Sequence, residues 1–229
     1  EEACRLLHQA VRGGTKIRII SDYDVDGVIS NYILWKSLSD LGGIVDFTIP
    51  DRIQDGYGMN SEMAVNAKED GVGLIITCDN GIAAFDPVKK AKDLGMEVIV
   101  TDHHEVPYQM EEGKKRERLP LADAVVNPKQ ESCAYPYKQL CGAGVAFQLM
   151  RALYQMEGRE DKDLEPLLCF LAIATVCDVV DLTEENRIFV REGLKRIDIT
   201  ENTGLRALLR AHNLEEAPVN SYHLGFVIG

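Results

Sequence analysis

The chain has 229 residues, 45% of them hydrophobic and 27% charged, with a formal net charge of −12. That length supports a substantial core in one large domain or two small ones, and the composition is that of an ordinary soluble globular protein. No apolar run approaches the roughly 18–20 residues that span a bilayer, and the acidic balance argues against a simple basic nucleic-acid coat, because phosphate affinity comes largely from Lys and Arg. It leaves a nuclease open, since bound divalent cations reverse the local sign of a site.

The start, Glu1-Glu2-Ala3-Cys4-Arg5, has neither an initiator Met nor an apolar signal core, so residue 1 reads as other than a natural terminus. Lys16–Ser21 is short and β-branched, which predicts a strand. From Asp26 to Leu41, residues Val28, Ile29, Tyr32, Ile33, Trp35 and Leu38 recur at helical spacing until Gly42-Gly43 stops the helix. Ile44–Ile49 alternates as a second strand, and Asn60 or Ser61 can cap a helix through Ala67. Strands at Val72–Cys78, Met96–Thr101 and Ala122–Val126 enclose a helix at Phe85–Leu94. This alternation predicts an α/β fold with a parallel five-stranded sheet and helices on both faces.

Glu105–Pro120 is rich in Lys, Arg and Glu and reads as a solvated loop. After Pro136 the pattern predicts four helices, at Gly144–Met156, Leu164–Asp178, Glu184–Ile197 and Leu205–His212. The expected organisation is a sheet part over 16–130 and a helical extension over 137–215. The apolar end, Leu224 to Gly229, reads as a strand cut short. Cys4, Cys78, Cys133, Cys141, Cys169 and Cys177 include no Cys-x-x-Cys pair. They read as small buried residues in a reducing cytosol.

Four acidic clusters each follow an apolar run: Asp22-Tyr23-Asp24-Val25-Asp26, Asp79-Asn80-Gly81, Asp102-His103-His104, and Asp178. Strand ends on one edge of a parallel sheet meet in space, so distant residues can converge there. Alternate residues of an extended segment point to one side, which would aim two or three of Asp22, Asp24 and Asp26 at one point. Each cluster also has a plainer reading. Asp26 could merely cap its helix, Asp79-Asn80-Gly81 could be a turn, and the His pair could be structural. Asp178 sits in an apolar stretch, where a buried charge needs a partner or a metal. Crowded carboxylates with one or two imidazoles suit Mn²⁺ or Mg²⁺, less surely Zn²⁺ or Fe²⁺.

In this order the motifs resemble those of the DHH phosphoesterase family, and within it the single-strand-specific exonucleases. Asp22 to Gly27, Asp79 to Ile82 and Asp102-His103-His104 resemble the first three motifs. Cys141 to Ala146 resembles the glycine-containing fourth motif, and Ala174 to Leu182 the later Asp segment. Pro50-Asp51-Arg52 followed by Gly56-Tyr57-Gly58 also resembles an exonuclease loop. The resemblance implies two divalent cations, Mn²⁺ or Mg²⁺, held by Asp24, Asp26, Asp79, His103 and Asp178, with Asp79 bridging. It implies catalytic roles for Asp22, His104 and Arg52. It implies also a C-terminal substrate-binding domain, of the kind called DHHA1, not found in residues 1–229. Related pyrophosphatases carry a metal-binding His where this chain has Ile20, which counts against that activity.

The function expected is a metal-dependent phosphodiesterase, the catalytic part of a 5′→3′ exonuclease on single-stranded DNA. It would act as a cytoplasmic monomer, alongside replication or repair proteins. The alternatives are a family member cleaving small oligonucleotides or cyclic dinucleotides, and a non-catalytic replication scaffold, although a scaffold has no need to keep five ligands. A receiver-like signalling domain would need neither the Asp-His-His nor Asp178.

Overall fold

The computed structural model describes residues 1–111, 113–215 and 218–229. Seven strands are found among them: β1 (Lys16–Ser21), β2 (Ile44–Thr48), β3 (Leu74–Cys78), β4 (Glu97–Thr101), β5 (Tyr108–Glu111), β6 (Lys114–Glu117) and β7 (Ala124–Val126). Five form one sheet in the order β2-β1-β3-β4-β7, and every pair in it is parallel. The expected sheet is therefore present.

The helices are α1 (Glu2–Gly13), α2 (Val25–Asp40), α3 (Ser61–Glu69), α4 (Phe85–Asp93), α5 (Gly142–Met156), α6 (Leu168–Cys177), α7 (Glu184–Ile197) and α8 (Thr203–Ala211). They cover both sheet faces, which explains why the central strands are apolar almost throughout rather than alternating. Ile17 and Ile19 of β1, Leu74 and Ile76 of β3, and Ile99 of β4 point into the larger core with α1, α2, α5 and α6. Ile20, Ile75, Val98 and Val100 point the other way, onto α3 and α4. Strands β1 and β3 are neighbours, but the chain leaves β1 toward β2 and leaves β3 toward β4. The crevice beyond their carboxyl ends is thus the switch point of the sheet, where open α/β folds place their sites.

The structure departs from the sequence reading at several elements. Helix α1 has no counterpart in that reading, although Ala3, Leu6, Leu7 and Ala10 line one buried face and Gly14 closes it in the left-handed region at φ 66°. Helix α5 begins at Gly142, two residues before the expected start. The expected helix Leu164–Asp178 is divided. Residues Asp161–Leu167 form a 3₁₀ turn containing Pro166, which lacks an amide to donate, and α6 starts only at Leu168. Within Glu105–Pro120 the expected loop is an antiparallel hairpin of β5 and β6.

The expected terminal strand is helical, with Ser221–His223 running into a π-helical turn over Leu224–Ile228. Its cause lies just upstream. The Asn220 side chain accepts from the His223 amide at 3.2 Å while His223 Nδ1 accepts from the Asn220 amide at 3.2 Å, a reciprocal cap that starts a helix. Leu224 is then buried against α6, and Cys177 Sγ lies 3.4 Å from its carbonyl oxygen.

Helices α6 and α7 approach closely at Gly193. A Cβ there would lie 2.2 Å from the Leu168 carbonyl oxygen and 2.5 Å from the Ala172 Cβ. Backbone on one side and a methyl on the other leave nothing flexible to give way. Gly193→Ala is therefore expected to destabilise the fold by about 1–3 kcal/mol through overpacking, read as a lower urea midpoint with an unchanged slope. A midpoint equal to that of the wild type would mean that the two helices are free to separate.

Candidate metal centre

Each acidic motif arrives by a different route. Asp22 follows β1, Asp79 follows β3, and Asp102-His103-His104 follows β4. Asp24 and Asp26 sit in the entry to α2. Asp24 is the residue that caps α2, its Oδ1 accepting from the Gly27 amide at 2.9 Å, so the capping role considered for Asp26 falls two residues earlier. Gly27 is needed at that bend because a Cβ would stand 2.5 Å from the Asp22 carbonyl oxygen.

Asp26 points inward instead. Its Oδ2 accepts from the Gly142 amide at 2.6 Å and its Oδ1 from the Ala143 amide at 2.9 Å, so the first free N–H groups of α5 hold the carboxylate. Gly142 has no room for a side chain: a Cβ would meet the Asp79 Cβ at 2.7 Å and Asp26 Oδ2 at 2.9 Å. Asp178 comes from a helix end, as the C-cap of α6.

Asp79 lies in the left-handed region at φ 60°, which turns its side chain toward the crevice. The neighbouring Asn80 fixes the turn. Its Nδ2 donates to the carbonyls of Ile20 at 3.1 Å and Cys78 at 2.9 Å, and its Oδ1 accepts from the Met59 amide at 3.1 Å. Tyr57 donates its hydroxyl to the Asp79 carbonyl at 3.0 Å. The loop before α3 is thereby tied to the site.

Three sets of donor atoms converge, each within 4.8 Å of one another: Asp79, His103 and His104; Asp26, His103 and Asp178; and Asp22, Asp24 and Asp79. His103 Nε2 is 3.8 Å from Asp26 Oδ2, and its Nδ1 is 3.8 Å from Asp178 Oδ2. His103 Nε2 and Asp79 Oδ1 approach to 3.1 Å, but neither makes an aligned hydrogen bond. Four buried polar atoms of the cluster have no hydrogen-bond partner: Asp22 Oδ1, Asp79 Oδ1, His103 Nε2 and Asp178 Oδ2. Orphaned buried polar atoms are costly and rare, and here they face one another as hard oxygen and imidazole donors. That donor set fits divalent cations of the Mn²⁺ or Mg²⁺ kind.

The electrostatics agree. Burial, then the charge of Asp24, pushes the Asp79 carboxyl up to about 9. Burial and the charge of Asp79 raise Asp26 to about 7, and burial with the Asp26 charge raises Asp178 to about 6. Asp22 is raised too, by burial and by Asp24. Without cations these carboxylates resist sharing one crevice as anions.

Asp102 behaves differently. Burial acts to raise it, but its hydrogen bonds and the charge of His104 prevail and hold it below the ordinary carboxylate range. Its Oδ1 accepts from the amides of His103 at 2.8 Å and His104 at 3.1 Å, and its Oδ2 from the Ile82 amide at 2.9 Å. His104 Nδ1 lies 2.7 Å from the same carboxylate, and that bond raises His104 to about 9. Asp102 thus orients the motif and favours the charged form of His104, beside a half-open cavity of about 460 Å³ lined also by Tyr57, Asn80, Ile82 and Pro87.

All five expected ligands meet here, and Asp22 and His104 stand with them. Arg52 does not. It is exposed, with its guanidinium 5.5 Å from the Tyr23 ring centroid. The sequence reading missed the orienting role of Asp102, the amides of Gly142 and Ala143, and the brace formed by Tyr57 and Asn80. The Gly-Ala-Gly run and the Asn-Gly pair were their only signals.

A parallel sheet with hard donors converging at its switch point defines an α/β scaffold built to hold divalent metal, and residues 16–175 match the DHH family, N-terminal domain. The chain belongs to that family. Within it, the chain is similar to the single-stranded-DNA-specific exonuclease RecJ. It is 41% identical over 226 residues to RecJ of Bacillus subtilis, a match covering 99% of this chain and 27% of that protein. To RecJ of Escherichia coli it is 38% identical, over 100% of this chain and 40% of that protein. A crystal structure of exonuclease RecJ bound to manganese superposes with a TM-score of 0.83 at 33% identity, covering 98% of this chain and 54% of that one. RecJ of Thermus thermophilus in complex with Mn²⁺ gives 0.79 at 31% identity, over 98% and 30%. The chain spans between about a quarter and two fifths of the length of these curated relatives.

Two outcomes follow from the crowding. Asp79→Asn keeps a residue that tolerates the left-handed region and removes one charge. In chelator it is expected to raise the melting temperature by about 2–4 °C, the shift that about 1 kcal/mol gives in a chain of this size. Because Asp79 and His104 have raised values when folded, the folded chain holds more protons than the unfolded one between about pH 4 and 9. The metal-free wild type should therefore lose stability as pH rises through that window, and the variant should lose less. With Mn²⁺ present the order should reverse, since the wild type gains more from binding. Melting curves with and without chelator decide this, and equal shifts in both proteins would place Asp79 outside the site. Gly142→Ala is expected to weaken Mn²⁺ binding at least roughly tenfold in a calorimetric titration, because its methyl must displace Asp26 or Asp79, the scale of loss that follows when the support of a metal ligand is disturbed.

Proposed function

We propose that this chain is the catalytic part of a metal-dependent phosphodiesterase that removes nucleotides from single-stranded DNA in the 5′→3′ direction. The observation that carries the reading is the set of orphaned buried donors shared by Asp22, Asp79, His103 and Asp178, on a chain similar over its whole length to RecJ exonucleases. One cation would be held by Asp26, His103 and Asp178, and a second by Asp22, Asp24 and Asp79, with Asp79 between the two. Asp22, first read as catalytic, is assigned here to the ligand set on its grouping.

Bound cations supply charge neutralisation at a phosphodiester and activation of water. The chain's own residues do the rest. Asp26 is held by α5 and cannot swing toward solvent. His104, oriented by Asp102 at 2.7 Å, is placed to contact a phosphate or leaving oxygen. Arg52, on an exposed loop beside Tyr23, is assigned a second phosphate. The Tyr57 ring, edge-on to His104 with centroids 5.9 Å apart, walls the approach.

The test is a Mn²⁺ titration of the purified chain with a labelled 5′-phosphorylated strand and a dinucleotide as rival substrates. Stepwise release of mononucleotides from the strand, dependent on metal, is expected. Asp102→Asn should lower turnover about 10–100-fold, the usual loss when a group supporting a metal site is removed. The net charge of −12 also predicts weak strand binding that fades as salt rises. Hydrolysis of the dinucleotide alone would overturn the proposal in favour of a small-substrate enzyme.

A further inference from the structure

The hairpin of β5 and β6 leaves the sheet four residues after His104, and seven of its eight strand residues are exposed. A two-stranded ribbon of this kind is at best marginally stable by itself in water. Its base is nevertheless closed by a backbone bond and tied to the rest of the protein through Arg118 and Glu117. The Arg118 amide donates to the Pro107 carbonyl at 2.7 Å, and its guanidinium stands 3.7 Å from the Phe85 ring centroid at the start of α4. Glu117 accepts from the Glu131 amide at 2.7 Å. Beside the base, the Lys129 ammonium meets Glu105 at 2.9 Å.

Above that base the two faces differ. Register pairs Tyr108 with Glu117 and Met110 with Lys115, and residues directly opposite share a face. One face therefore presents Tyr108, Met110 and Lys115, with Tyr108 59% and Met110 62% exposed. The Lys115 ammonium lies 4.1 Å from the Tyr108 ring centroid. Glu117 shares this face, but its carboxylate is turned to the Glu131 amide at the base. On the opposite face Glu111 meets Arg116 at 3.3 Å. The exposed apolar face thus carries an aromatic ring, a thioether and a cation.

We propose that this face is a contact for single-stranded nucleic acid, Tyr108 stacking on a base and Lys115 meeting the adjoining phosphate. The inference rests on the exonuclease reading above and places a strand-holding element beside the metal centre. The Lys115 ammonium lies over the Tyr108 ring face; a base arriving there takes its place as the ammonium turns to the phosphate, and aromatic rings paired with cations are what non-specific single-strand binders use. Distance permits it: four extended residues reach no more than roughly 14 Å, so Tyr108 stands within a few nucleotides of His104. The cavity beside His104 is lined by residues 80–84, just ahead of Phe85, and by Glu105, which pairs with Lys129 beside the hairpin base. On a chain of net charge −12, such a contact matters more than on a basic one.

The test compares the wild type, a Tyr108→Ala/Lys115→Ala variant and Tyr108→Trp, with Mn²⁺ present. Both altered residues are solvent-facing, so the fold should persist. For a strand of about twelve nucleotides the double variant should raise KM about 5–10-fold with kcat unchanged, while Tyr108→Trp should match the wild type, as loss of one stacked base and one phosphate contact requires. Hydrolysis of bis(p-nitrophenyl) phosphate, which has no second nucleotide, should be identical in all three. A strand carrying 5-iododeoxyuridine should photo-cross-link to Tyr108 in the wild type. Cross-linking needs no hydrolysis, so it decides for the hairpin even if the strand is not cut. An unchanged KM together with no cross-link to residues 108–117 would overturn the inference and leave the hairpin face to a protein partner.

Discussion

Like-charge repulsion among buried carboxylates is the constraint on which this structure turns. Asp22, Asp26 and Asp79 lie in one crevice from which water is largely excluded, and Asp178 closes it. A fold held by burial alone would not place them there, since apolar residues of similar volume would pack at lower cost. The sheet, its switch point and the helices above it are arranged to keep the carboxylates together. Asp26, Asp79 and Asp178 are all pushed up from the ordinary carboxylate range by burial among like charges, which positive charge would relieve.

Backbone groups carry much of that arrangement. The amides of Gly142 and Ala143 bind Asp26, and those of Ile82, His103 and His104 bind Asp102. Amides cannot be lost by side-chain substitution, but they can be moved. Positions such as Gly142 and Gly27, where a Cβ would collide with neighbouring atoms, therefore control the geometry as firmly as the converging side chains do.

Much of this was legible in the sequence, for reasons that differ between elements. β1, β3 and β4 are continuous apolar runs ending in Asp, a pattern that buried parallel strands produce and few other structures do. The parallel sheet and the meeting of Asp22, Asp79 and Asp102 at its edge follow from that pattern, whereas the particular ligand set came from the family resemblance. Asp178 was recognisable because a charge inside an apolar helix requires a partner. The hairpin was not legible: Tyr108, Met110 and the Lys-Lys-Arg run are polar or exposed, so no burial period marks them. The terminal strand was misread because an apolar run of five has no period of its own, and the Asn220–His223 cap decided its conformation. Arg52 was expected in the site by resemblance; it stands exposed at the rim, beside Tyr23 of the first motif. The division between Asp24 as cap and Asp26 as inward group depended on where α2 begins, a boundary that sequence patterns place only to within a few residues.

The contact between Asp26 and the start of α5 has a consequence for the order in which the protein matures. The donors arise at both ends of a long stretch, from Asp22 to Asp178, and Gly142 is needed to seat one of them. A nascent chain that has just released His104 has a nearly complete acidic crevice but neither the α5 amides nor Asp178. At ribosomal speeds of about 5–20 residues per second, that state lasts on the order of 4–15 s. During it, the half-built sheet exposes the apolar sides of Ile17, Ile19 and Ile76, and the crevice lacks the geometry to hold its ions. The complete set of converging donors is thus withheld until α6 has been made, so a product ending within the sheet lacks both the seat for Asp26 and the side chain of Asp178.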